Sequence, residues 1–229
     1  MILFCLPHAG GSEAIYYSWK KHLHPTIKLE PICLKGRGRR YDEGFYEDFN
    51  EAVDDIFSNV KETIVSNEYA IFGHSMGSHL AYELYYRTCE ENLIKPRHIF
   101  FSGSAAPSVK KDRRVLHSLP DDEFLKEVID LGGTPEELIE SDELLKLALP
   151  ILRNDFRIFE NRICEKRSEK IECDVTVFSG KEDDFTLDEL LMWKDHCSLG
   201  FKLHMLEGNH FFINDNIENI TNIIKSELK

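Results

Sequence analysis

The chain lacks the features of a membrane or exported protein. Its longest uninterrupted apolar run is residues 1–6, whereas a helix needs roughly 20 apolar residues to cross a bilayer. No basic stretch precedes this run, so the sequence predicts no secretion signal. The 6 cysteines are scattered and form no C-x-x-C pair, as expected of reduced thiols. These absences predict a cytoplasmic protein without membrane contact.

Positive charge is also scarce. Lys and Arg number 28 against 41 Asp and Glu, which gives a net charge of −13. Such a surface repels phosphate groups, so nucleic-acid binding is not predicted. No run of His, Cys and carboxylates has the spacing of a metal site, and we expect no metal or other cofactor. A chain of 229 residues with 42% hydrophobic residues fits one folded domain, for which a monomer is the default expectation.

Short apolar runs alternate with longer segments of helical periodicity, a pattern typical of βαβ units and a mostly parallel sheet. Helices are predicted at 49–65, 76–88, 187–197 and 214–228. Strands are predicted at 2–6, 29–34, 69–72, 97–102, 174–179 and 201–206.

The interval between the strands at 97–102 and 174–179 is too long for one connecting helix. Helical periodicity at 121–131 and 141–164 predicts an insertion of two or more helices, which we interpret as a lid. The domain prediction is therefore a core built from 1–108 and 171–229, with a helical lid insertion at 109–170.

A G-x-S-x-G box occupies residues 73–77, between a predicted strand and a predicted helix. This context is typical of a nucleophile elbow, in which a tight turn exposes a serine and leaves room only for glycine two residues away on either side. Ser75 is thus the candidate nucleophile. A phosphate-binding turn, the alternative, would need G-x-G-x-x-G or a Lys-Ser/Thr ending, and neither is present.

A serine nucleophile needs a base, and the base needs an orienting acid, each on a loop after a later strand. Asp183 follows the strand at 174–179 and is the predicted acid, with Asp184 as the rival. His210 follows the last strand and is the predicted base among 10 histidines. His74 flanks Ser75, and we expect its side chain to point away.

An oxyanion hole requires two backbone N–H groups directed at the developing negative charge. Met76 directly follows the candidate nucleophile and supplies one. The glycine-containing loop after the first strand, residues 7–12, is the expected source of the second, with Ala9 as the predicted donor.

Taken together, these motifs resemble the type II thioesterases of the α/β-hydrolase superfamily, stand-alone editing enzymes of nonribosomal peptide and polyketide synthases. Lys35 departs from the pattern, because the family usually has proline before G-R-G. The matching segments are LFCLPHAGGS at 3–12, GRGRR at 36–40, FGHSMG at 72–77, SGSAAP at 102–107, GGTP at 132–135, LPILRND at 149–155, GKED at 180–183 and GNHFF at 208–212.

The resemblance implies an α/β-hydrolase fold and a substrate that is an acyl thioester on the phosphopantetheine arm of a carrier protein domain. It also implies hydrolysis through an acyl-serine without a cofactor. Three other functions use a similar scaffold: a carboxylesterase or lipase, a chain-releasing acyltransferase or cyclase, and an inactive binding protein. The complete set of candidate triad residues argues against the last of these.

Two clusters of basic residues interrupt the acidic sequence. We hypothesise that one or both form a positive rim that receives the carrier protein and its phosphate. The alternative is that they are ordinary solvated loop charges. The clusters are Lys35, Arg37, Arg39 and Arg40, and Lys110, Lys111, Arg113 and Arg114.

Overall fold

The computed structural model describes residues 1–109, 114–132, 141–164 and 167–229. Lys110, Lys111 and Arg113, which belong to the second basic cluster, lie outside the described residues, and so does most of the GGTP segment.

The core of the fold is a six-stranded sheet in the order β2-β1-β3-β4-β5-β6, in which every neighbouring pair is parallel. The predicted α/β class is thereby confirmed. Its strands are β1 (Ile2–Leu6), β2 (Lys28–Pro31), β3 (Tyr69–His74), β4 (His98–Ser102), β5 (Asp174–Gly180) and β6 (Phe201–Leu206).

Helices cover both faces of this sheet. They are α1 (Lys20–Leu23), α2 (Phe49–Ser66), α3 (Met76–Glu90), α4 (Asp121–Asp130), α5 (Asp142–Glu160), α6 (Leu187–Leu191) and α7 (Ile217–Glu227). The central strands are buried throughout because both of their faces pack against helices.

Alternate residues along each strand enter two separate cores. Phe4 packs with the side chains of α2 and α3 on one face, whereas Leu3 and Cys5 pack with Trp19 and with α7 on the other. This period of two follows from the pleat of a strand. Because the cores hold the sheet from both sides, the loops that leave the carboxyl ends of its strands start from fixed positions.

Two predicted elements end differently in the structure. The second strand was expected at 29–34, but β2 stops at Pro31, although the Ile32 N–H still donates to the Cys5 carbonyl of β1 at 2.9 Å. Residues 32–34 are still buried, but as coil. The helix expected at 187–197 is α-helical only to Leu191 and continues as the tighter 3₁₀ helix Met192–His196, as is common at helix ends.

The connection between β4 and β5, residues 103–173, contains α4 and α5, as the periodicity predicted. Phe124 and Val128 of α4 pack with Leu152 of α5 in a small core of their own.

In the part of the chain that the structure describes, no helix combines the length and hydropathy of a bilayer-crossing segment.

Candidate active site

Ser75 lies in the tight turn between β3 and α3. Its backbone has φ 54° and ψ −116°, a region that costs a non-glycine residue of order 1–3 kcal/mol and that is typical of functional sites. The Ser75 N–H donates to the Ser102 carbonyl at 2.8 Å, and Ser78 N–H donates to the Ser75 carbonyl at 2.9 Å. The strained turn is therefore held by backbone on both sides.

Only glycine fits at both glycine positions of the G-x-S-x-G box, because neighbouring backbone leaves no room for a side chain. A Cβ atom on Gly73 would collide with the Gly77 carbonyl, and one on Gly77 would collide with the Leu6 carbonyl at the end of β1. The turn thus packs directly against the start of the loop that follows β1. This is the arrangement predicted for a nucleophile elbow.

Asp183 and His210 meet where the loops after β5 and β6 come together. The Nδ1 atom of His210 lies 3.1 and 3.0 Å from the two carboxylate oxygens of Asp183. The Asp183 side chain is 3% exposed and that of His210 is 15% exposed. Because a carboxylate only accepts hydrogen bonds, the proton of a neutral His210 ring lies on Nδ1, which leaves a lone pair on Nε2. The Asp184 N–H donates to Asp183 Oδ1 at 2.8 Å.

His210 and the elbow share two neighbours. The His74 ring centroid lies 5.3 Å from that of His210, and Gly103 lies against both rings. His74 directly precedes Ser75, while Gly103 follows Ser102, the residue that accepts the Ser75 N–H. The structure therefore brings His210 to the edge of the sheet that carries Ser75.

The expectation that His74 points away from the site is wrong. Its ring lies behind His210, is buried, and has Nδ1 2.9 Å from the Ser102 hydroxyl. Burial lowers the pKa of His74 well below the usual value, and the nearby His210 adds to this effect. His74 is thus a neutral packing surface for His210. The chain turns sharply at Ser75. The side chain of the preceding residue, His74, therefore remains buried beneath the candidate site.

The loop after β1 forms a tight turn at residues 8–11. Gly11 N–H donates to the His8 carbonyl at 3.0 Å, and Gly10 has φ +76°, the combination typical of a type II turn. The His8 Nδ1–H donates to the Ala9 carbonyl at 2.9 Å. Ala9 is therefore at the second position of a closed turn that begins where β1 abuts the elbow. Met76 is the first residue of α3.

Comparison with known proteins identifies the family of this chain. The family model described as "Thioesterase domain" matches residues 1–228. The chain belongs to the thioesterase family. Its sheet order and elbow are those of the α/β-hydrolase fold that the sequence predicted, and solved thioesterase structures share that fold over nearly the whole chain.

Several relatives come from peptide and polyketide pathways. A protein of Brevibacillus parabrevis named linear gramicidin dehydrogenase LgrE is 37% identical over 100% of this chain and 88% of its own. The crystal structure of ClbQ from the colibactin NRPS/PKS pathway is 31% identical, covers 99% of this chain and 96% of its own, and has a TM-score of 0.94. The type II thioesterase BorB from the borrelidin cluster is 30% identical, covers 100% and 92%, and has a TM-score of 0.90.

The thioesterase site includes a charged pair that the sequence analysis did not place there. Arg37 and Asp155 form a bidentate ion pair with both distances at 2.6 Å, and their side chains are 3% and 0% exposed. Both residues contact the 8–11 turn. Both also lie within motifs that carried the family resemblance, so the motifs marked them without indicating that they pair.

The hypothesis of a positive rim is wrong for most of the first basic cluster. Arg37 is buried against Asp155, Arg40 is paired with Asp55 and Glu43, and Lys35 is paired with Glu51 at 2.8 Å. Their charges are neutralised because carboxylates from α2 and α5, together with Glu43 of the loop itself, surround these side chains.

In the second cluster, Arg114 is paired with Glu123 and Glu127 of α4. This member of the cluster also offers no net positive surface.

Across the ranges that the structure describes, no group of three or more His, Cys, Asp and Glu side chains is arranged to hold a metal ion.

Proposed function

We propose that this thioesterase hydrolyses acyl thioesters carried on the phosphopantetheine arm of carrier protein domains, with Ser75, His210 and Asp183 as its catalytic triad. The observation that carries the proposal is the strained Ser75 elbow beside a His210 whose Nδ1 is held by Asp183, in a chain that belongs to the thioesterase family. The order serine, acid, histidine is the one that this fold uses.

The proposed reaction begins with transfer of the Ser75 hydroxyl proton to His210 Nε2 while Oγ bonds to the thioester carbonyl carbon. The C–S bond then breaks, and the leaving pantetheine sulfur takes the proton from His210. Asp183 remains a carboxylate throughout and stabilises the imidazolium of His210. In the second half, His210 takes a proton from water, the hydroxide attacks the acyl-serine, and Ser75 recovers its proton as the carboxylic acid leaves.

Negative charge develops on the carbonyl oxygen in both halves of the reaction. We assign the backbone N–H groups of Met76 and Ala9 to stabilise it, because both belong to backbone at the elbow and the adjoining turn. Removing one such donor usually lowers turnover by about a hundredfold or more.

The biological role that we propose is editing, in which short or aberrant acyl groups are removed from stalled synthases. Support comes from similar proteins whose names place them in biosynthetic pathways, among them ClbQ of an NRPS/PKS pathway and the type II thioesterase BorB. We further propose that the β4–β5 connection acts as the lid. Gly132 lies against Asn209, next to His210, and Leu152 lies against Gly10, next to Ala9.

The test uses a carrier protein loaded with a short acyl group and follows release of the free carrier thiol by mass spectrometry. We expect the wild-type chain to release linear acid and Ser75→Ala to release none while it keeps the wild-type Tm. A fluorophosphonate probe should label Ser75 and no other residue. Labelling elsewhere, or equal hydrolysis by Ser75→Ala, would refute the triad.

A paired substrate comparison separates the other activities. An acyl-pantetheine thioester and a nitrophenyl ester with the same acyl group should differ in kcat/KM in favour of the thioester. A preference for the oxygen ester would assign the chain to the carboxylesterases, and a cyclised product would assign it to the chain-releasing enzymes.

A further inference from the structure

The carboxylate of Asp155 joins the β4–β5 connection to the turn at residues 8–11. Its Oδ2 accepts the Gly10 N–H at 2.7 Å and an Arg37 Nη1–H at 2.6 Å, and its Oδ1 accepts an Arg37 Nη2–H at 2.6 Å. Leu152, one helical turn earlier on α5, lies against the same glycine. One face of α5 thus packs against the turn at residues 8–11.

Arg37 completes the connection from the other side of the turn. The Nη1 group that contacts Asp155 also donates to the Gly11 carbonyl at 3.1 Å. Burial alone would lower the pKa of the Arg37 guanidinium, but the Asp155 carboxylate raises it on balance, so Arg37 stays charged. The two side chains therefore form a buried ion pair that also binds the turn, through the Gly10 N–H and the Gly11 carbonyl. The Arg37 Nε–H donates to the Lys35 carbonyl at 3.3 Å.

These bonds fix the orientation of the peptide groups around Ala9. The Ala9–Gly10 peptide is held at its carbonyl by His8 Nδ1–H and at its N–H by Asp155. The preceding His8–Ala9 peptide is held at its carbonyl by Gly11 N–H. Because the N–H of a trans peptide points opposite to its carbonyl, the direction of the Ala9 N–H is set by the closure of the turn.

We infer that Asp155 is a positioning residue for catalysis, which acts through Gly10 and Arg37 to hold the Ala9 N–H in the oxyanion hole. The inference rests on the proposed function and deepens it. The ion pair makes the helical connection part of the machinery that stabilises the transition state, in addition to any role as a cover.

The first test is Asp155→Asn, which keeps the shape of the side chain but removes the charge that holds Arg37. We expect kcat for an acyl-pantetheine thioester to fall by roughly 100-fold, the usual consequence of misplacing an oxyanion donor, with KM changed by less than about twofold. Binding of a boronic acid with the same acyl group, which forms a tetrahedral adduct on serine, should weaken by a similar factor.

Loss of stability is separated from loss of positioning by a double variant, Arg37→Met with Asp155→Leu. Replacing a buried ion pair by apolar side chains is often neutral or stabilising, so its Tm should fall less than that of Asp155→Asn, which leaves the buried Arg37 charge without its carboxylate partner. The Gly10 N–H and the Gly11 carbonyl nevertheless lose their partners, and kcat per fluorophosphonate-titrated site should remain low.

The matched control is Asp55→Asn. Asp55 binds Arg40 of the same loop in a bidentate manner, at 2.7 and 2.8 Å, and receives the Tyr46 hydroxyl at 2.6 Å. Its contacts go to the loop after β2 and not to the 8–11 turn. We expect this variant to lose stability and to keep kcat within about twofold of wild type.

The inference is overturned if the double variant keeps a wild-type kcat, or if Asp155→Asn and Asp55→Asn lower kcat equally. Its failure can be distinguished from failure of the proposed function, because the boronic acid and a nitrophenyl ester probe the oxyanion hole without a carrier protein. If the wild type cleaves the ester but not the loaded carrier, the proposed substrate is wrong and the Asp155 test still gives an answer.

Discussion

Adjacent carboxylates in the loop after β5 have different surroundings. Asp183 is 3% exposed and holds His210 Nδ1 with both oxygens. Asp184 donates its backbone N–H to Asp183, and this bond helps to fix the Asp183 carboxylate. The side chain that orients an imidazole must be held in place, and Asp183 meets this condition.

We therefore expect Asp183→Asn to reduce kcat by about 10³–10⁴-fold, because an amide favours the wrong tautomer of its histidine partner. Asp184→Asn is the matched control and should stay within about threefold of wild type, since its N–H is retained. Steady-state hydrolysis of an acyl-pantetheine thioester measures both. The reverse order of effects would assign the acid to Asp184.

The residues to which we assign the chemistry were singled out by local patterns in the sequence. Ser75 and His210 sit at strand ends beside glycines, where the required backbone shape restricts the choice of residue. Arg37 was placed in a basic cluster that forms either a positive rim or ordinary solvated loop charges, because a run of charges is usually exposed. Its partner, Asp155, is 118 residues away in the chain, and no local pattern predicts a pair formed across such a separation.

The elbow brings three secondary-structure elements together. The first turn of α3 packs against the end of β1, with Gly77 placed directly at the Leu6 carbonyl. Since parts of β1, β3 and α3 meet as backbone against backbone, no side chain can adjust to relieve a collision there.

Gly77→Ala should consequently destabilise the fold by more than about 3 kcal/mol, because the added methyl group forces backbone to move. Gly44→Ala is the control: Gly44 also needs a special backbone, with φ +74°, but a Cβ there meets nothing within 4 Å. With ψ −156° this backbone lies in a region that is essentially restricted to glycine, and we expect a cost of about 1–3 kcal/mol for that strain alone. Urea unfolding of both variants tests the difference, and equal costs would mean that α3 moves freely.

Elements with strong periodicity were predicted to within a few residues. α2, with its apolar face and the Asp48 cap that accepts Glu51 N–H at 2.8 Å, spans 18 residues and begins where predicted. The end of β2 and the 3₁₀ segment after α6 were not predicted. Strand pairing and the change from α-helix to 3₁₀ helix depend on contacts with neighbouring elements, and the spacing of apolar residues carries no information on those contacts.

For the molecule as a whole, the two-sided core contains a histidine that must remain neutral. His98 of β4 is 2% exposed, stacks on Phe100 with ring centroids 4.3 Å apart, and has Nε2 2.9 Å from the Thr176 hydroxyl. Burial lowers the pKa of His98 to about 4. An unfolded chain binds a proton at this residue near pH 6.5, while the folded chain does not.

The contribution of His98 to stability is thus complete above about pH 6.5 and is lost as the pH falls toward about 4. Between pH 7.5 and pH 5 it should account for a decrease of about 2 kcal/mol in the free energy of unfolding. His98→Gln should reduce this dependence, whereas His22→Gln, on α1 and outside the sheet, should leave it in place. Equal pH dependence in wild type and His98→Gln would contradict the argument.

The uniform strand direction also has a practical consequence for work with this enzyme. All groups assigned to the chemistry lie at the carboxyl ends of strands, while the opposite rim carries ordinary pairs such as Glu68 with Arg97. Glu68 precedes the 6 residues of β3, which at 3.3 Å per residue separate it from the elbow by roughly 20 Å. A dye, a resin or a surface tether attached on that rim leaves the edge of the sheet that carries Ser75 free.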